Sequence, residues 1–175
     1  MKGLFALYCI SLFVCGYSCC HSGWHFHAGS CFKIFGERTK WVTAKDRCHR
    51  LGAHLAEDHS LDTHRFLIWF IKKDHSYATS HPTGDNKPIY YLGATDHDLD
   101  YDWVWESTGK VVYPEMFGKG QPDRYNGNRQ ECLSINVRDD WDSDSNWDDV
   151  KCDSPKNMYI CEMKDSGHSG SHLIG

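Results

Sequence analysis

Apolar residues return along this chain in three rhythms, and each predicts a different kind of element. The first is an uncharged apolar run from Leu4 to Val14, behind Lys2 and followed by Gly16 and Ser18 in small-x-small spacing. It is too short to span a bilayer, which takes roughly 20 residues, and it reads as a secretory signal peptide cleaved after Ser18. The second rhythm is helical. In "TKWVTAKDRCHRLG", Trp41, Ala44, Cys48 and Leu51 recur at three- and four-residue spacing, with Thr39 placed to cap the start and Gly52 the end. "SLDTHRFLIWFIKKD" carries a broader apolar face, with Ser60 as N-cap, Asp62 in the first turn, and Lys72 and Lys73 near the end, where the helix dipole favours cations. The third rhythm is strand-like: "IYYLGAT", "WVWES", "ECLSINV" and "MYICEMK" follow the turn-rich "TSHPTGDNKP".

Two helices and then strands joined by long polar stretches give an α+β fold rather than alternating βαβ. One domain over residues 19–164 is expected, after a signal peptide over 1–18. The tail 165–175 is largely Gly, Ser and His with little to bury, and is expected to be disordered. The longest later apolar segment is "FLIWFI", Phe66 to Ile71, so the expectation is a secreted, soluble protein with no membrane anchor.

Cysteine and charge counts narrow this further. Cleavage would take Cys9 and Cys15 from the nine cysteines, leaving seven: Cys19, Cys20, Cys31, Cys48, Cys132, Cys152 and Cys161. In an oxidising compartment, with no C-x2-C pair, they read as disulfides rather than zinc ligands. Seven is odd, and the adjacent Cys19 and Cys20 place the leftover thiol at the N-terminus. A covalent dimer, a shifted cleavage site and a capped thiol all fit. Lys plus Arg number 19 against 24 Asp plus Glu, and no basic stripe follows a phosphate backbone, so nucleic acid is not an expected partner. No N-x-[ST] sequon is present.

Candidate chemistry gathers in "GQPDRYNGNRQEC", Gly120 to Cys132, where Pro122 and Gly127 exclude a helix or a central strand. Its side chains are hard oxygen donors, as in a cation site or an ordinary polar turn. The run "DDWDSDSNWDD" alternates Asp142, Asp144, Asn146 and Asp148 like an EF-hand, but the required Gly is Trp147 and no Glu closes the loop. Among the twelve histidines, His54, His59 and His64 share no single helix face and read as surface residues. No nucleophile with its base and no paired-carboxylate motif stands out, so an enzyme is not expected.

Five marks in order, "CHSGWHFHAGSC", "YYLGATD", "WVWES", "QPD" and "NWDDVKC", resemble a C-type lectin domain over Cys20 to Glu162. The resemblance implies that fold: two helices, small antiparallel sheets and a long loop binding calcium and sugar. It also implies three disulfides, Cys48 with Cys161, Cys132 with Cys152, and Cys20 with Cys31, leaving Cys19 for an interchain link. Gln121 and Asp123 would flank a cis proline and, with Glu131, Asp148 and Asp149, ligate Ca2+. That ion takes about 6–8 oxygens. Gln121, Asp123, Glu131 and Asp148 would also hydrogen-bond the sugar, and Tyr125 would stack on it, Trp141 and Trp147 being more usual as core aromatics. An amide both donates and accepts while a carboxylate only accepts; in the family Gln-Pro-Asp goes with galactose and N-acetylgalactosamine, and Glu-Pro-Asn with mannose-type sugars.

The chain departs from the family at three places. The usual glutamate two residues before the cysteine is Gln130, with Glu131 beside it, so either is a candidate ligand. Asp148 replaces an asparagine, which adds charge for calcium and removes a donor to a sugar hydroxyl. An auxiliary calcium site in some relatives corresponds to Asp96, Asp100 and Glu131, but Arg124 sits there as a fixed cation that opposes a metal. The expectation is a calcium-dependent lectin for galactose or N-acetylgalactosamine glycans in innate recognition. Its alternative is a C-type-lectin-like module for protein or mineral contact without sugar binding.

Overall fold

The computed structural model describes residues 20–74, 88–96, 102–124, 129–137 and 144–165. The expected signal peptide, Cys19, and the tail beyond Asp165 lie outside these. Before the two expected helices comes a hairpin, β1 (His25–His27) with β2 (Ser30–Thr39). Sequence periodicity misses β2 because Gly36 interrupts its alternation and Gly36 to Arg38 are exposed. Then follow α1 (Trp41–Arg50), β3 (His54–Leu55), α2 (Leu61–Asp74), β4 (Ile89–Thr95), β5 (Val104–Trp105), a 3-10 turn over Pro114–Met116, β6 (Cys132–Asn136), β7 (Trp147–Val150) and β8 (Asn157–Lys164). The α+β expectation holds; "WVWES" yields only the two-residue β5.

The eight strands among the described residues form one sheet, in the order β1-β2-β8-β4-β6-β7, with β3 on β8 and β5 on β4. β8 is its spine. It pairs antiparallel with β2 on one side; on the other it runs parallel to β4 (Tyr91↔Tyr159) and then antiparallel to β3 (Leu55↔Cys161). This junction brings β4 close against the chain at β3, with the Gly93 N–H on the Ala56 carbonyl at 2.9 Å. A Cβ on Gly93 would stand 2.6 Å from the Leu55 carbonyl oxygen, so only glycine fits.

Side chains alternate between the faces of a strand, and each face of this sheet takes one helix. Tyr90, Leu92, Met158 and Ile160 pack with Leu67, Phe70 and Ile71 of α2, together with Leu133, Ile135, Trp105 and Trp147. Tyr91, Tyr159 and Cys161 pack with Trp41, Ala44 and Cys48 of α1, together with Cys132 and Val150. The three implied disulfides are present: Cys20–Cys31, Cys48–Cys161 and Cys132–Cys152. Cys48–Cys161 ties α1 to β8 across 113 residues, a closure worth about 4–5 kcal/mol in the chain-entropy account.

Two local expectations need correction. Thr39 does not cap α1: it ends β2, paired with Asn157, and the N-cap is Lys40 with no side-chain cap bond. His64 is not a surface histidine. It falls in register with Leu67, Ile68 and Ile71 on the buried face of α2, and its Nδ1 lies 2.6 Å from Asp58 Oδ2. The other caps are as expected: Ser60 Oγ accepts the Thr63 N–H at 3.1 Å, and Gly52 leaves α1 with φ +71°.

Candidate functional site

The site is delivered by the segment after β5. A hairpin folds back through the Trp105 N–H to Lys110 carbonyl and Val112 N–H to Trp103 carbonyl bonds, both 2.9 Å. Past the 3-10 turn, Phe117 bridges to Trp147, and the Gly118 N–H donates to the Trp147 carbonyl at 2.9 Å. The next turn is closed by the Gln121 N–H on the Gly118 carbonyl at 2.9 Å, with Gly120 at φ +83°. The Gln121–Pro122 peptide is cis, as the resemblance implied.

Asp149 of β7 holds the far side of this turn. Its Oδ1 accepts the Asp123 N–H and its Oδ2 the Arg124 N–H, each at 2.8 Å. Burial pushes the Asp149 carboxyl above its ordinary pKa; the two backbone N–H bonds pull against that rise, and the neighbouring charge of Asp123 adds to it. Gln121 Oε1 is buried and has no hydrogen-bond partner among the described residues. An unmet buried acceptor costs about 1–3 kcal/mol, and a cation would satisfy it.

Asp148 leaves β7 on the opposite face. Its Oδ2 accepts from Asn136 Nδ2 at 3.1 Å, and its carbonyl accepts from the Ser134 hydroxyl at 3.0 Å. Of the two glutamate-position candidates, Gln130 meets the site, donating through Nε2 to the Asp149 carbonyl. The Glu131 carboxylate pairs with Arg129 instead, and its carbonyl accepts the Asp96 N–H at 2.9 Å. At the place of the relatives' auxiliary metal, Arg124 Nη2 donates to Asp96 Oδ2 at 2.8 Å. Trp147 is a core residue, 1% exposed, whose indole N–H donates to Asp58 Oδ2 at 3.0 Å. Tyr125, Trp141 and Asp100 lie outside the described residues.

The structure therefore joins Gln121, Asp123 and Asp149 through one turn, and sets Asp148 and Glu131 on neighbouring partners. Among the described residues, the only three His, Cys, Asp or Glu ligand atoms within 4.8 Å of one another belong to Cys20, Cys31 and Asp165, two of them closed in a disulfide. The candidate acids are not gathered as three, so the donor set depends on the Gln121 amide and on carbonyl oxygens as well. Hard oxygens, an unmet Gln121 Oε1 and a buried Asp149 beside Asp123 fit a calcium ion. Sequence reasoning missed Asn136, which carried no signal, and the side-chain contact of Gln130.

The Lectin C-type domain family matches residues 37–163. The versican core protein of Bos taurus is 27% identical over 130 residues, 74% of this chain but 3% of that protein's length. Lactose-binding lectin l-2 of Anguilla japonica is 28% identical over 136 residues, 77% of this chain and 72% of that one. The structure resembles the carbohydrate-recognition domain of mouse scavenger receptor C-type lectin, with TM-score 0.65, 20% identity and coverage of 83% of this chain and 97% of that one. It also resembles a calcium-independent type II antifreeze protein, with TM-score 0.63, 21% identity and coverage of 85% and 97%. At these identities the likeness to solved structures concerns the fold. Among the described residues no helix is long and apolar enough to cross a membrane.

Proposed function

This chain belongs to the C-type lectin family, and we propose that it is a secreted, calcium-dependent binder of glycans ending in galactose or N-acetylgalactosamine. The observation that carries the reading is the Asp149 carboxylate holding the Gln121–Arg124 turn while Gln121 Oε1 stays buried and unmet among the described residues. Gln121, Asp123 and Asp149 would hold Ca2+, with Asp148 and Glu131 completing the set, Glu131 by leaving Arg129. The ion, when bound, supplies coordination positions for two adjacent sugar hydroxyls. Gln121 can accept toward the cation and donate to a hydroxyl, whereas Asp123 only accepts. That order of amide and acid, together with a relative named for lactose binding, supports galactose over mannose. Tyr125 is proposed as the stacking aromatic. The role is binding rather than catalysis, directed at foreign glycans, and a disulfide dimer through Cys19 would add avidity to a weak single site.

A second reading has its own support. Glu131 is engaged by Arg129, Asp96 by Arg124 and Asp148 by Asn136, and a calcium-independent antifreeze protein shares the fold. On this reading the chain contacts a protein or mineral without sugar.

Binding to immobilised galactose and mannose, each with calcium and with EDTA, separates the two. Retention on galactose that EDTA releases is expected. Retention on mannose alone would overturn the sugar assignment, and retention on neither would favour the second reading. For the dimer, Cys19→Ser should turn a dimer band into a monomer on a non-reducing gel; an unchanged band would remove Cys19 from that role.

A further inference from the structure

We propose that Arg124 is a cation built into the chain at this site: clamped on the buried Asp96, it holds the Gln121–Arg124 turn in shape when no metal is bound. The metal in that statement rests on the calcium reading above; the clamp does not.

Arg124 Nη2 lies 2.8 Å from Asp96 Oδ2, and the Asp96 side chain is only 1% exposed. Burying a carboxylate this deeply is costly unless it is paired and hydrogen-bonded. A guanidinium supplies that charge permanently and in a directional fork. The anchor itself is rigid, since Asp96 directly follows β4 and its N–H donates to the Glu131 carbonyl at the start of β6. Arg124 meanwhile adopts φ +44°, a conformation uncommon for a non-glycine residue, and its N–H donates to Asp149 Oδ2. One residue thus ties the turn to two strands, through its side chain to the end of β4 and through its backbone to β7.

Two consequences follow. The turn that presents Gln121 and Asp123 is assembled by protein charges, so calcium meets a formed turn rather than creating one, with Glu131 still to be drawn from Arg129. A fixed positive charge on Asp96 also opposes a second divalent cation there, so no calcium is expected at Asp96.

The test is amide hydrogen exchange at Asp123 and Arg124 in EDTA, in wild type, Arg124→Gln and Arg124→Lys, with calcium stoichiometry measured by titration calorimetry. Wild type should protect both amides without metal and bind one calcium. Arg124→Gln should exchange them at least tenfold faster while β8 amides keep their protection, and Arg124→Lys, with the charge but not the fork, should fall between. Equal exchange in wild type and Arg124→Gln would overturn the clamp. If Arg124→Gln loses β8 protection, Arg124→Lys decides: faster exchange at the turn alone supports the clamp, and equal exchange overturns it. Loosening by Arg124→Gln in a protein that binds no calcium would keep the clamp and sink the calcium reading.

Discussion

The sheet around β8 and the turn at Gln121–Arg124 are built from opposite materials. Around β8, residues are held by apolar contact on both faces and by the Cys48–Cys161 bridge. The turn is held by hydrogen bonds to two buried carboxylates, Asp149 and Asp96. Apolar burial is non-directional and roughly proportional to area, so it supplies stability. Hydrogen bonds to charged groups contribute about 1.5–3 kcal/mol each but are directional, so they supply position. Trp147 belongs to both regions: its ring packs edge-on to Trp105 and Phe117, while its carbonyl holds Gly118 and the next two residues serve the site. Substitutions in the core should therefore cost stability and spare affinity, and substitutions in the turn should do the reverse.

Ile135→Ala gives the largest expected effect on the core side. The side chain is fully buried against the α2 face, and truncation should cost about 2–5 kcal/mol in urea unfolding, with calcium affinity unchanged in the folded fraction. A parallel loss of affinity would show that the site shares the core's fate. Asp123→Ala is the opposite case. Its side chain is exposed, and the N–H that Asp149 holds remains, so the melting curve in EDTA should move by no more than about 0.5 kcal/mol. Galactose binding should fall at least a hundredfold, about 2.7 kcal/mol. Retained binding would move the site elsewhere.

Glu57 lies between the two regimes. It is buried, and its carboxylate accepts the Ser107 N–H at 2.9 Å, the Thr108 hydroxyl at 3.0 Å and a contact from His59 at 2.8 Å. Burial alone would raise this carboxyl, but these hydrogen bonds outweigh it and hold the pKa below its ordinary value. A carboxyl depressed on folding contributes stability above its unfolded pKa and loses it as pH falls through the folded value. Glu57→Gln should therefore cost about 1.5–2 kcal/mol at pH 7, and the gap to wild type should close below about pH 4. A gap independent of pH would mean that packing, not charge, holds Ser107 and Thr108.

The same contrast governs what could be read from the sequence. Strands β4, β6 and β8 showed because apolar residues dominate or alternate along them, and α2 showed because its apolar spacing and Ser60 cap are local. β2 did not, since Gly36 and its exposed second half break the pattern. His64 is not legible as buried because its burial depends on Asp58, six residues earlier, which meets its ring. At the site, the order of Gln121, Pro122 and Asp123 and the pair Asp148–Asp149 were legible as a motif. Their partners were not. That Asp149 takes the turn, Asp148 takes Asn136 and Gln130 takes the Asp149 carbonyl depends on strand alternation and on contacts across 12 to 26 residues.

The smallest effect tests whether the two regions are insulated at all. Ser60→Ala removes the N-cap of α2, which should cost about 1 kcal/mol in thermal unfolding. One path could carry that disturbance to the site: His64 of α2 lies on Asp58, Asp58 accepts the Trp147 indole N–H, and Trp147 precedes Asp148 and Asp149. The path is short and buried: His64 Nδ1 lies 2.6 Å and the Trp147 indole nitrogen 3.0 Å from the same Asp58 Oδ2. If apolar packing fixes Trp147, the variant should melt earlier and bind calcium as wild type does. A loss of calcium affinity alongside the small loss of stability would show that the buried pair, rather than the core, sets the position of β7 beneath the turn.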